Sequence, residues 1–75
     1  MSQWSVEVTS WERLKRDRQR EFLNLAGDAG GEWWGDGRIL LAAYPEAHRL
    51  SASARARGFF VQMKPSDYDR YSSGQ

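Results

Sequence analysis

Few residues in this chain could do chemistry, and their types narrow what that chemistry is. His48 is the only histidine and there is no cysteine. A thiolate nucleophile, a disulfide and a cysteine–histidine zinc site are therefore excluded. A lone imidazole near the start of a helix, with no second histidine, reads as an exposed helix-face residue rather than a general base. Asp28, Glu32 and Asp36 lie in a glycine-rich stretch and could gather around a hard cation such as Mg²⁺ or Ca²⁺. They lack the alternate-position ligands and late glutamate of an EF-hand loop, so they read as a solvated turn region. Gly27, Gly30, Gly31, Gly35 and Gly37 follow no GxGxxG or Walker pattern and serve as turn formers. The expectation is a protein without enzymatic activity, cofactor or metal.

Aromatic and cationic groups remain, and they have to be placed on elements. Trp4, Val6 and Val8 alternate with Ser5 and Glu7, the period of a half-buried strand. Thr9-Ser10-Trp11-Glu12 has the form of a capping box with Thr9 as N-cap. It predicts a helix running to about Ala26, with Gly27 as its C-cap. Trp11, Leu14, Phe22 and Leu25 share one face of that helix. Arg18 falls in the middle of the stripe, where an unpaired guanidinium would be costly. It must reach water, with its stem on Trp11, or find a carboxylate such as Glu7 or Glu21.

A short strand through Glu32, Trp33 and Trp34 follows. Gly35-Asp36-Gly37 then reverses the chain into a return strand from Arg38 to Tyr44. One tryptophan of the pair should face the helices and the other outward, because neighbours on a strand point to opposite sides. Pro45 suits the first turn of a helix. Over residues 46–57, Ala47, Leu50 and Ala54 form a helical stripe, while Leu50, Ala52, Ala54 and Ala56 alternate as a strand would. The propensity of alanine favours the helix. Gly58 caps it, and Phe59 to Met63 is the last strand. Residues 65–75 form a polar tail in which Tyr68 and Tyr71 flank Asp69 and Arg70.

The order is β-α-β-β-α-β, which predicts one small α+β domain over residues 1–64. It would be a two-layer sandwich of ferredoxin-like type, with the first and third strands central. The alternative is one long helix packed on an antiparallel β-meander, should residues 49–57 be extended. Such a sandwich leaves one side of its sheet open. That side should inherit one of Trp33 and Trp34, one apolar set of the return strand, and one of Phe59 and Phe60. The resulting patch would exceed what a soluble monomer normally shows.

The stretch Arg57-Gly58-Phe59-Phe60-Val61-Gln62-Met63 resembles the RNP1 motif of RNA recognition motifs, a basic residue and glycine followed by aromatics on a strand. The resemblance covers these seven residues of 75 and implies bases stacked on an open sheet face. RNP1 lies on the third strand, whereas this stretch falls on the fourth and is one residue short. A core strand is the preferred reading.

The net charge of +1 conceals an uneven distribution. Residues 11–26 carry five basic and three acidic groups, residues 38–63 carry four and one, and the acidic loop lies between them. This total is too small for an obligate nucleic-acid binder. The absence of cysteine favours a reducing, cytoplasmic compartment, and no apolar run approaches the roughly 20 residues of a membrane span.

These readings converge on a small protein-binding module that acts by occupying a partner's surface. Its expected contacts are Trp33, Trp34, Tyr44 and Phe60, with Arg13, Arg16 and Arg20. The cover would be another protein or a second copy of the chain. By size and architecture alone, such chains include regulators and phage-encoded inhibitors of host defence systems, anti-CRISPR proteins among them. Nucleic-acid binding through the arginine-rich helix faces, with Lys15, Arg55 and Arg57, is the alternative.

Overall fold

Alternation of apolar and polar residues builds β1 (Trp4–Val8), and β1 lies in the middle of the sheet. The computed structural model describes residues 3–66. The chain continues through a single 3₁₀ turn (Trp11–Arg13), α1 (Arg16–Asp28), β2 (Glu32–Gly35), β3 (Arg38–Leu41), α2 (Tyr44–Ala56) and β4 (Val61–Pro65). Four strands form one sheet in the order β2-β3-β1-β4, every neighbour antiparallel. The chain is thus a small α+β domain whose element order fits a two-layer sandwich. β1 and β3 are the central strands, as their apolar content requires. Among the described residues, no helix is long and apolar enough to cross a membrane.

Register explains which side each residue takes. Val6 pairs with Ile39 and Met63, Trp4 with Leu41, and Val8 with Val61. Directly paired residues share a face, so these form the helix side of the sheet. Phe22 and Ala26 from α1, Ala47, Leu50 and Ala54 from α2, and Phe59 complete the core. Ser5, Glu7, Arg38, Leu40, Gln62 and Lys64 occupy the other side.

Several expectations need correction. Thr9 caps no helix: its N–H bonds the carbonyl of Phe60 at 2.8 Å. Ser10 then adopts a left-handed conformation, and α1 begins only at Arg16. The local capping signal loses because Trp11 is drawn onto the sheet, where it packs over Gly37. At the far end of α1 the C-cap is Ala29 and not Gly27, and Gly30 after it takes the left-handed position with φ +78°. The N–H of Gly30 bonds Gly27 O and that of Gly31 bonds Ala26 O, the two bonds of a Schellman ending.

The return strand stops at Leu41, because Tyr44 and Pro45 already open α2. Residues 49–57 are not extended, which removes the meander alternative: Arg49 to Ala56 are helical, and Arg57 is the C-cap. The last strand runs Val61–Pro65 rather than from Phe59, since the Phe59 N–H completes the α2 ending by bonding Ala54 O. Pro65 therefore belongs to β4, and Ser66 bonds Gln3 O through its N–H at 2.9 Å. The rest of the tail, with Tyr68, Asp69, Arg70 and Tyr71, lies outside the described residues.

Candidate protein-interaction surface

The hairpin between β2 and β3 sets the position of the tryptophan pair. Asp36 and Gly37 carry positive φ of 54° and 81°, as the two central residues of a type I′ turn must. The register slips between Trp33, opposite Ile39, and Gly35, opposite Arg38. This bulge interrupts the side-to-side alternation. As expected, one indole, that of Trp33, takes the helix side, but it is not buried there: Trp33 is 46% and Trp34 50% exposed. Trp33 shares the helix side with Ile39, yet it rests at the sheet's edge against Trp11, ring centroids 5.2 Å apart. Trp11 in turn meets Phe22 at 6.0 Å and covers Gly37 so closely that a Cβ there would stand 2.8 Å from its own.

Trp33 is therefore joined to the core through one intermediate ring, while much of its surface stays in water. α1 runs alongside. Gln19 Nε2 donates to Trp11 O at 2.9 Å. One turn later on the same side stands Leu23, 40% exposed. Arg16 and Arg20 border that side and are exposed, and Arg13 lies exposed in the 3₁₀ turn beside Trp11. None of these three arginines, nor Lys15, forms a side-chain ion pair or hydrogen bond among the described residues. Trp33 and Trp34 on the edge strand and Leu23 on α1 are thus exposed apolar side chains, and the cations of the 3₁₀ turn and the start of α1 are unengaged among the described residues. Leu23 was not among the expected contacts, because its exposure depends on how α1 is rotated about its axis, which one sequence does not fix.

The other predicted contacts lie elsewhere. Tyr44 opens α2, where it meets Trp4 edge-on at 5.1 Å and His48 at 5.7 Å. It lines a groove of about 530 Å³ with Pro45, His48, Arg49, Ala52 and Ser53 on the outer side of α2. Phe60 is 79% exposed and borders a second groove of about 490 Å³ at the start of β4. The sheet's open side is no continuous aromatic patch: its aliphatic residue, Leu40, is buried among Ser5, Glu7, Arg38 and Lys64. Phe59, the first aromatic of the RNP1-like stretch, is 4% exposed and in the core.

Two arginines named for nucleic-acid binding are already engaged. Arg55 Nη2 donates to Val61 O at 3.3 Å, and Arg57 Nη1 to Glu21 Oε2 at 3.1 Å. Arg18 finds the carboxylate it needs in Glu21, at 2.6 Å, and also donates to Arg57 O at 2.6 Å. Its guanidinium lies 4.1 Å from the ring centre of Phe59. Asp28, Glu32 and Asp36 do not converge, and among the described residues no three potential ligands gather to hold a metal ion. Comparison with protein families, curated proteins and solved structures finds no match.

Proposed function

We propose that this chain is a non-enzymatic protein-binding module whose contact surface is formed by Leu23, Trp33 and Trp34 with Arg13, Arg16 and Arg20. The observation that carries this reading is two adjacent tryptophans, each about half exposed, on an edge strand backed by the core through Trp11. Tryptophan and arginine dominate binding hot spots, and a rigid apolar centre with a charged rim is the usual anatomy of a contact. The fold enters as a ferredoxin-like scaffold, a reading supported by the strand order and by the antiparallel neighbours. Action by occupying a partner's surface, in the manner of cytoplasmic regulators or phage inhibitors of host defence such as anti-CRISPR proteins, is the functional class proposed by analogy of size.

The test is site-specific photo-crosslinking in living cells that express the chain, with a benzophenone side chain replacing Trp34 and, as control, Lys64 on the opposite edge strand. A discrete protein adduct from position 34, absent from position 64, is expected. Equal or absent adducts at both positions would refute the reading.

A further inference from the structure

α2 begins without the side chain that usually closes a helix start. Its N-cap is Ala43, which makes no side-chain capping bond, and Glu46 is the one acid of its first turn. Tyr44, at that end, is 47% exposed. It opens the groove of about 530 Å³ that follows the outer side of α2 over Ala52 and Ser53. The His48 ring stands 5.7 Å from that of Tyr44. Arg49, also lining the groove, makes no ion pair or side-chain hydrogen bond among the described residues. An aromatic wall, a floor of small residues and an unengaged cation suit a chain that brings aromatic rings and acids.

The fold delivers such a chain to this place. Trp4 pairs with Leu41 of β3 on one side and Pro65 of β4 on the other, and its ring meets Tyr44 edge-on at 5.1 Å. Ser66 is tied beside it, through its N–H, to Gln3 O. The chain therefore leaves the sheet at the end where α2 starts. Tyr44, His48 and Arg55 follow at spacings of four and seven, which align them on one side of the helix. Arg55 bonds Val61 O from that side, so the Tyr44 side of α2 overlooks β4, the strand that ends at the exit.

The sequence after Ser66 begins Asp67-Tyr68-Asp69-Arg70-Tyr71, which supplies acids and a pair of tyrosines. An extended chain from Ser66 to Tyr71 spans about 17 Å, and Tyr44 to Ala52 along the helix about 12 Å, so the segment reaches the length of the groove. We propose that residues 67–75 occupy this groove and run along α2 from its start. Tyr68 takes the Tyr44 end and Tyr71 covers Ala52, while Asp67 and Asp69 meet the uncapped helix start and Arg49. The occupant is thus the chain's own C-terminal segment. It leaves Trp33 and Trp34 clear, so it is independent of the proposed contact surface, and it withdraws Tyr44 from the residues open to a partner.

The chain has no cysteine, so a nitroxide on Ser73→Cys reports on this segment within the full chain. Amide resonances broadened by the label are expected to centre on Tyr44, His48 and Ala52 and to spare Trp33 and Lys64. A mixture of labelled chain with isotope-enriched unlabelled chain should show no broadening in the latter, because the contact is internal. Arg49→Glu and Ala52→Glu each set an acid in the groove at an exposed position where glutamate suits a helix. Each should lower the docked-to-free ratio roughly threefold or more, with the other resonances in place. Broadening that is spread evenly, that centres elsewhere or that neither substitution reduces would overturn the inference. Broadening passed to the unlabelled chain would also overturn it, and would give the groove to the segment of a second copy. The position-34 crosslink reads a different side of the molecule and stands or fails separately.

Discussion

Replacing Arg18 should cost more stability than its position on a helix side implies, and the structure shows where the loss arises. Its guanidinium makes three contacts at once: an ion pair with Glu21, a hydrogen bond to the carbonyl of Arg57 at the C-cap of α2, and the face of Phe59. The side chain is 34% exposed, so the ion pair is screened and contributes on the order of 0.5 kcal/mol. The charged bond to the helix-end carbonyl contributes about 1 kcal/mol when partly solvated. The contact with Phe59 adds roughly 0.5 kcal/mol. Arg18→Ala should therefore destabilise by about 2 kcal/mol, which for a chain of this size lowers Tm by roughly 10 °C.

Arg18→Lys keeps the charge but not the planar fork that reaches both oxygens, and should lose about half as much. Urea and thermal unfolding followed by circular dichroism, at concentrations where the chain is monomeric, would measure both. In 0.5 M NaCl the Arg18→Ala penalty should shrink by no more than the ion-pair share. A penalty below about 0.5 kcal/mol for Arg18→Ala, or a lysine variant equal to the natural chain, would refute the reasoning.

Three further substitutions test the packing, each read by unfolding at the same dilution. Gly31→Ala would place a Cβ 2.3 Å from Ile39 Cγ2 and 3.2 Å from the Ala26 carbonyl, so a loss of about 1–3 kcal/mol is expected. Gly27→Ala meets nothing and should gain roughly 0.5–1 kcal/mol in the monomer from helix propensity alone. Ser51 is buried in α2 and its Oγ has no hydrogen-bond partner among the described residues. Ser51→Ala should therefore stabilise by about 1 kcal/mol, and a loss instead would mean that the hydroxyl is satisfied in solution.

What could be read in the sequence was what depends on local backbone chemistry. Gly35-Asp36-Gly37 announces its hairpin because only such residues accept consecutive positive φ. Pro45 announces α2 because its missing N–H is harmless in a first turn. Arg18 announces a need for water or for a carboxylate such as Glu7 or Glu21, because burial of an unpaired cation is costly, and Glu21 is the one it meets. The start of α1 was hidden because Thr9 and Glu12 carry a good capping pattern, which the sheet overrides when Thr9 bonds Phe60 and Trp11 docks on Gly37. Its end was hidden because Gly27, Gly30 and Gly31 all satisfy the composition rule. Only their geometry shows that Gly30 takes the left-handed position and that Gly31 has no room for a side chain.

The candidate site was half legible for a related reason. A tryptophan pair on a strand implies that one indole faces outward whenever alternation holds, and that argument needs only the period of a strand. Here the bulge breaks the period, so both indoles stay half exposed at the edge, and Trp11 rather than α1 becomes the support of Trp33. Tyr44 and Phe60, grouped with them by residue type, are carried away by α2 and by the start of β4, which no residue-type argument foresees. Arg16 and Arg20, expected as contacts, are exposed on α1, whose position beside Trp11 is held by the bond from Gln19 to Trp11 O. The position of the exposed Trp33 is thus defined by a side-chain contact with Trp11, a residue of an element far from it in the chain.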